Sequence, residues 1–213
     1  MNTINVTVQD AVAIIALNNG NSNAINAEML TDLKKIFKSI ATDDAIRGVV
    51  LTGKQGFFSS GLDLIELYSY NEEQIKAFWE QFLDLVKSLV LFKKPLISAI
   101  SGHSPAGGCV LALCSDYRIM AQGKYIIGLN EVPVGIIVPN SIFELYAFWI
   151  GKAKAYQNLL EGKLMGADEA KSISLIDDTA PIESLMTVTL NKMKTYISFD
   201  STTWQESKFN LRQ

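Results

Sequence analysis

A glycine-rich turn, Ser101 to Cys109, is the segment best suited to chemistry, and it joins an apolar strand-like run to an apolar helical run. Gly107 and Gly108 carry no Cβ, so a ligand can approach the backbone closely. Pro105 is expected in the first turn of the helix, where its missing N–H costs little. The helix start adds unpaired N–H groups and a partial positive charge. Such a place suits an anion, or an oxygen that becomes anionic in a transition state.

A second glycine-rich turn, Gly56 to Leu64, follows the buried strand-like run Arg47 to Gly53. Gly61 leaves the backbone N–H of the next residue, Leu62, open to a ligand. Two such turns, each after an apolar strand, can aim two N–H donors at one oxygen, which is the geometry of an oxyanion hole. The alternative is that both segments are ordinary turns between a strand and a helix.

Glu131 is a carboxylate in an apolar stretch of the chain. Its apolar neighbours in the sequence are Ile126, Ile127, Leu129, Val132, Val134, Ile136 and Ile137. Burial among such side chains disfavours the charged form and raises the pKa of a carboxyl group. The residue types leave two interpretations open, a paired structural ion or a tuned acid/base group.

Three motifs in order along the chain resemble the crotonase superfamily of enoyl-CoA hydratases and isomerases. Phe58 to Leu64 matches the family's first turn, and Gly102 to Cys109 with Asp116 to Ile119 matches its second turn and the strand beyond. Gly128 to Ile136 corresponds to the family segment that carries an acidic residue. The resemblance runs from about residue 4 to about residue 195. Within the family, the second and third motifs look most similar to Δ3,Δ2-enoyl-CoA isomerases of the mitochondrial type.

The resemblance assigns a role to each of these groups. It implies that the N–H groups of Leu62 and Gly107 bind a thioester oxygen and that Glu131 transfers the proton. It implies no separate cofactor, because CoA belongs to the acyl-CoA substrate. Contacts with that substrate are expected at Ala24, Ser60, Gly61, Asp63, Leu64 and Gly108. The residues themselves favour a structural role for Asp63, bonded to N–H groups of its own turn, and a loop position for His103.

Val110 is a departure from the family pattern. Hydratases of the family carry a second glutamate at this position, immediately after the G-G-C segment. Addition of water usually uses two carboxylates, whereas moving a double bond needs one base that takes a proton from C2 and returns it at C4. A single carboxylate therefore favours an isomerase. The alternatives are hydration with Glu131 alone, another acyl-CoA reaction such as thioester hydrolysis, or CoA binding without catalysis.

Composition limits the class of protein. A chain of 213 residues, 48% hydrophobic and 19% charged, is typical of one packed domain, here 1–213. The net charge of −3 does not indicate the basic surface that binding of nucleic acid requires. The longest apolar runs are too short for a membrane span. The termini show neither a signal peptide nor a peroxisomal address, so the expected location is cytoplasmic.

Metal and disulfide chemistry are not expected. The chain has one histidine and no cluster of metal-ligating residue types. Cys109 and Cys114 are expected to be reduced structural thiols.

Hydrophobic periodicity predicts alternating strands and helices. Strands are predicted at 4–8, 11–17, 47–52, 96–100, 116–120, 125–128 and 174–177. Helices are predicted at 27–41, 72–91, 152–160, 167–173 and 182–197, with a further helix around 142–149. This alternation predicts an α/β fold.

The resemblance implies a crotonase-like superhelix of ββα repeats. The core would span about 1–140, and a C-terminal helical region, about 141–213, would be shorter than is usual in the family. The family uses this helical region for trimer contacts, so the resemblance implies assembly as a homotrimer or a dimer of trimers.

Overall fold

The computed structural model describes residues 1–212 as ten strands and nine α-helices. The strands are β1 (Ile4–Gln9), β2 (Val12–Leu17), β3 (Gly48–Thr52), β4 (Gly56–Phe57), β5 (Leu96–Ile100), β6 (Gly102–Pro105), β7 (Tyr117–Ala121), β8 (Ile127–Gly128), β9 (Leu164–Met165) and β10 (Asp178–Ala180). The helices are α1 (Ala27–Ala41), α2 (Leu64–Tyr68), α3 (Glu72–Val90), α4 (Gly107–Leu113), α5 (Asn140–Ile150), α6 (Lys152–Glu161), α7 (Ala167–Ser172), α8 (Leu185–Ile197) and α9 (Ser201–Arg212). None of these helices is long and apolar enough to cross a lipid bilayer.

The chain repeats one unit, two strands followed by a helix. The first strands of three successive units, β3, β5 and β7, are parallel neighbours in a six-stranded sheet of order β1-β2-β3-β5-β7-β10. The second strands, β4, β6 and β8, are parallel neighbours in a four-stranded sheet that β9 closes in the antiparallel sense. The units thus advance as a superhelix, which confirms the predicted fold.

The large sheet separates two apolar layers. In β3, Val49 and Leu51 belong to the main core, whereas Val50 belongs to a second core on the opposite face. The second core contains Leu185 and Met193 of α8. Side chains alternate across a strand, so a strand buried on both faces is apolar throughout.

Two helices begin at the residues that their caps predict. The Asn26 side chain accepts the N–H of Met29 at the start of α1, which spans the predicted 27–41. Asn71 and Gln74 form a reciprocal capping box at the start of α3.

Several predicted boundaries were wrong. The strand predicted at 174–177 is a bend, and β10 begins only at Asp178, because Ser174 turns the chain at φ 65° and the Asp177 side chain pairs with Arg118. The helix predicted at 182–197 begins at Leu185, after a turn. Pro105 ends β6 and does not lie in the helix.

A buried arginine ties the end of the large sheet to the helical region. The Arg118 guanidinium lies 2.7 Å from an Asp177 carboxylate oxygen, and its Nε donates to the Leu175 carbonyl at 2.9 Å. It also stacks over Trp149 at 3.6 Å from the ring centroid. These contacts indicate a structural role for Arg118.

Replacing Arg118 with alanine is expected to lower the free energy of unfolding by about 3–5 kcal/mol, because Asp177 loses its buried partner. Urea unfolding measures this loss, and Arg47→Ala, at an exposed position, is the control, with a change within about 0.5 kcal/mol. Equal effects of the two substitutions would contradict the assigned role.

Candidate active site

Three turns of the superhelix meet at one cavity. Leu62 follows β4, Gly107 follows β6 and Glu131 follows β8. These strands are parallel neighbours, so their carboxyl ends lie at one edge of the small sheet. All three residues line the same cavity. The structure therefore brings together the three residues expected to be catalytic, whose catalytic role stays a prediction.

The amide groups of Leu62 and Gly107 lie side by side. A Cβ atom at Gly61 would lie 3.2 Å from the Gly107 nitrogen, and one at Gly107 would lie 3.4 Å from the Leu62 nitrogen. Within residues 1–212, neither of these nitrogens donates a hydrogen bond. Two unpaired donors side by side can both bind one oxygen atom.

Ala106 sets the direction of the Gly107 amide. Its backbone has φ 49° and ψ −124°, a conformation that costs a non-glycine residue about 1–3 kcal/mol. Two hydrogen bonds hold it: its N–H donates to the Gly128 carbonyl at 2.8 Å, and its carbonyl accepts the Val110 N–H at 3.1 Å. The residue type gave no sign of this strain.

Side-chain hydrogen bonds fix the turn before Leu62. The Ser59 hydroxyl donates to the Asn23 carbonyl at 2.7 Å and accepts the Gly61 N–H at 3.2 Å. Gly61 has φ 93°, which a side chain rarely permits. The Gly61 carbonyl accepts the Ile25 N–H at 2.8 Å. The turn is therefore anchored to the segment before α1.

Glu131 is a buried carboxyl group. It is 8% exposed, and its Oε2 atom finds no hydrogen-bond partner among the described residues. Burial raises the pKa of Glu131, and backbone N–H groups of Glu131 and Asn130 oppose the rise in part. A carboxyl group with a raised pKa suits proton transfer near neutral pH.

Apolar side chains form the rest of the cavity wall. They are Trp79, Phe82, Val110, Ile136, Ile137, Val138, Pro139 and Ile142. The accessible volume is about 10 Å³, close to the least that one water molecule needs. The sequence placed Ile136 and Ile137 beside Glu131, but it gave no sign that Val138 and Pro139 also line the cavity.

The other predicted substrate contacts divide into three groups. Asp63 caps α2 by accepting the Glu66 N–H at 3.1 Å, the structural role that its residue type favoured. Gly108 is buried, and a Cβ there would lie 2.5 Å from the Ser59 carbonyl oxygen. Ala24, Ser60 and Leu64 are partly or fully exposed beside the turn that carries Leu62. Their contacts with a substrate, like those of Gly61, stay predictions.

The expected loop position of His103 was wrong. His103 lies in β6, not in a loop, and its ring packs against Phe57 and Tyr125. Phe58 is fully buried in the main core. Neither Phe57 nor Phe58 lines the cavity.

The two cysteines of the chain lie in the main core. Cys109 and Cys114 are both free and buried, and burial raises the pKa of each thiol. No group of three or more His, Cys, Asp or Glu side chains gathers there in a way that would hold a metal ion.

The ββα superhelix and this cavity define a crotonase-fold protein. The model of the family described as enoyl-CoA hydratase/isomerase matches residues 7–211. The chain therefore belongs to the enoyl-CoA hydratase/isomerase family of enzymes.

Relatives include both isomerases and hydratases. The mitochondrial enoyl-CoA delta isomerase 1 of Mus musculus is 36% identical over 204 residues, which cover 95% of this chain and 71% of the mouse protein. A probable enoyl-CoA hydratase of Rhizobium meliloti is 29% identical over 198 residues, 92% of this chain and 76% of the relative. The crystal structure of human mitochondrial delta3-delta2-enoyl-CoA isomerase superposes with a TM-score of 0.96 at 32% identity, covering 99% of this chain and 83% of the human one.

The burial of Glu131 leads to a prediction about stability and pH. Its pKa is higher in the folded chain than in the unfolded one, so Glu131 destabilises the fold increasingly as pH rises above the ordinary value of 4.5. Glu131→Gln is expected to raise the free energy of unfolding at pH 7, and by less at pH 4. Urea unfolding at the two pH values tests this, with Glu144→Gln, a half-exposed carboxylate, as control. A gain that is the same at both pH values would rule out charge burial as its cause.

Proposed function

We propose that the protein is a Δ3,Δ2-enoyl-CoA isomerase, which converts a 3-enoyl-CoA into the conjugated 2-trans-enoyl-CoA. The observation that carries the proposal is the lining of the cavity. Among the described residues, Glu131 is the one titratable side chain that faces it. Val110, where hydratases of the family carry a second glutamate, lines the same cavity as an apolar side chain.

The two backbone amides act on the thioester oxygen. Loss of a proton from C2 moves negative charge onto that oxygen, and the N–H groups of Leu62 and Gly107 stabilise it as an oxyanion hole. A single donor of this kind contributes about 2.7–4 kcal/mol to the lowering of a barrier. The helix dipole of α4 adds a partial positive charge near Gly107.

Glu131 moves the proton. Its carboxylate breaks the C2–H bond and takes the proton, and the electron pair spreads over the C2–C3–C4 unit and the thioester oxygen. The same carboxyl group then protonates C4, which leaves the double bond between C2 and C3. The apolar side chains around Glu131 limit the water that reaches the proton during the transfer.

The names of the relatives support the assignment. A mouse and a human protein named as enoyl-CoA delta isomerases are the most similar in sequence and in structure among the proteins described above. Hydration with Glu131 alone is the second candidate, because proteins named as hydratases are also similar, including one of Bacillus anthracis with a TM-score of 0.92 at 27% identity. The two candidates differ in whether water must enter the cavity.

Assembly, location and substrate partner follow as parts of this proposal. We propose an acyl-CoA thioester as the substrate, with no further cofactor, contacts at the predicted turn residues, and a homotrimer or dimer of trimers in the cytoplasm. Size-exclusion chromatography with light scattering measures the assembly.

The wild type is expected to turn over a 3-enoyl-CoA, seen as the rise in ultraviolet absorbance of the conjugated product. Glu131→Gln is expected to lower this turnover by about two orders of magnitude or more, because the general base is gone. Glu144→Gln, on the exposed face of α5, is the matched control.

Equal activity in wild type and Glu131→Gln would refute the proton-transfer role. Hydration of a 2-enoyl-CoA faster than isomerisation would favour the second candidate. Binding of CoA without turnover of either substrate would favour a CoA-binding protein without this catalysis.

Adding one methyl group beside the amides tests the oxyanion hole. Gly61→Ala places a Cβ 3.2 Å from the Gly107 nitrogen and is expected to lower turnover by about 10²-fold or more. Gly56→Ala is the matched control, because Gly56 has φ 96° against 93° at Gly61 and a Cβ there meets no atom within 4 Å. Similar turnover in both variants would contradict the assigned role of the amide pair.

A further inference from the structure

The turn after α6 touches the segment that carries Glu131 from outside the cavity. Gly162 ends α6 in the left-handed conformation, with φ 60° and ψ 42°. A Cβ there would lie 2.3 Å from Cγ and 2.4 Å from Cδ of Pro133, and 3.4 Å from Cα of Asn130. The Gly162 backbone therefore occupies the space beside residues on both sides of Glu131.

Hydrogen bonds fix this turn to α6. The N–H of Lys163 donates to the Asn158 carbonyl at 2.8 Å, and the N–H of Gly162 donates to the Leu159 carbonyl at 3.2 Å. The Asn158 side chain is itself buried and donates to the Tyr146 hydroxyl at 3.5 Å. The turn cannot retreat from Pro133 without breaking these contacts.

The small sheet fixes the turn from its other side. Leu164 pairs with Gly128 across β8 and β9, and a Cβ at Gly128 would lie 2.2 Å from the Lys163 carbonyl oxygen. The Gly128 carbonyl accepts the N–H of Ala106, the strained residue before Gly107. The same turn thus abuts the strand that leads to Glu131 and supports the residue that orients the amide.

We infer that Gly162 is a positioning residue, whose missing side chain lets the α6–β9 turn pack against Pro133 and Asn130 and hold Glu131 at a fixed distance from the two amides. The inference rests on the proposed function, in which Glu131 is the base. Pro133 transmits the contact because its ring is rigid and its Cδ is bonded to its own backbone nitrogen, two residues after Glu131. A displacement of about 1 Å can cost a reaction about 10²-fold in rate.

The test is a cycle of Gly162→Ala, Pro133→Ala and the double variant. Alanine lacks the Cγ and Cδ atoms that a Cβ at position 162 would strike, so the double variant keeps the left-handed alanine and removes the collision. Gly162→Ala is expected to lower kcat by about 10- to 100-fold with KM within about twofold. In the Pro133→Ala background, the same substitution is expected to change kcat by less than about threefold.

A second readout does not depend on turnover. Carboxyl ¹³C NMR, with the Glu131 signal assigned by its absence in Glu131→Gln, follows the titration of Glu131 in each variant. Burial raises the pKa of Glu131 in the wild type. Gly162→Ala is expected to shift that pKa toward its ordinary value, and Pro133→Ala to restore it in the double variant. Gly20→Ala, with φ 54° and no atom within 4 Å of the added Cβ, measures the cost of left-handed alanine in urea unfolding.

Each outcome decides one question. An unchanged kcat and titration in Gly162→Ala, or an equal loss with and without the Pro133→Ala change, overturns the positioning role. Failure of both alanine variants at 162 to fold also overturns it, because backbone strain and not the proline contact would then dominate. The wild type could show no isomerase turnover while the titration of Glu131 still shifts in Gly162→Ala and recovers in the double variant. That result supports the positioning role and refutes only the proposed function.

Discussion

The structure depends on the contact of two backbone turns without side chains between them. Gly108 lies so close to the Ser59 carbonyl that a Cβ at 108 would be 2.5 Å from that oxygen, and Gly61 meets Ala106 and Gly107 in the same way. The pairing of β4 with β6 brings the ends of these strands together. The turns that follow them can touch only because glycine has no Cβ at the points of contact. The hydrogen bonds of Ser59 and the two hydrogen bonds that hold Ala106 keep this contact in place.

The sequence predicts the large elements well because their signals are local. The bounds of α1 follow from the Asn26 cap and a helical apolar face, and those of β5 follow from a mostly apolar run. The fold of the superhelix came from the family resemblance, since periodicity does not give topology. The two-residue strands β4 and β9 have no local signal, because their only definition is the pairing between distant turns. The strand predicted at 125–128 was too long, since only Ile127 and Gly128 form β8.

The candidate site was predictable where glycines or an isolated carboxylate mark it. Leu62, Gly107 and Glu131 were found in this way and share one cavity. The strain at Ala106 and the place of Val138 and Pro139 in the cavity wall were missed, because alanine and apolar side chains look the same in a core as in a site. The prediction of a strand at 174–177 was wrong for a similar reason. Leu175 and Ile176 are both buried in the main core, whereas successive residues of a strand would point to opposite faces of a sheet.

The order of the units along the chain has a consequence for biosynthesis. Each of three successive units adds one chemical group to the same sheet edge, first the Leu62 amide, then the Gly107 amide and last the Glu131 carboxyl. The strand β9, which pairs with β8 at the side of the small sheet, is added only at residues 164–165. Proteins emerge from the ribosome amino end first, so a nascent chain holds both amides long before it holds the turn that packs behind Glu131. The half of the cavity that is proposed to bind the oxyanion is therefore synthesised before the half that is proposed to transfer the proton.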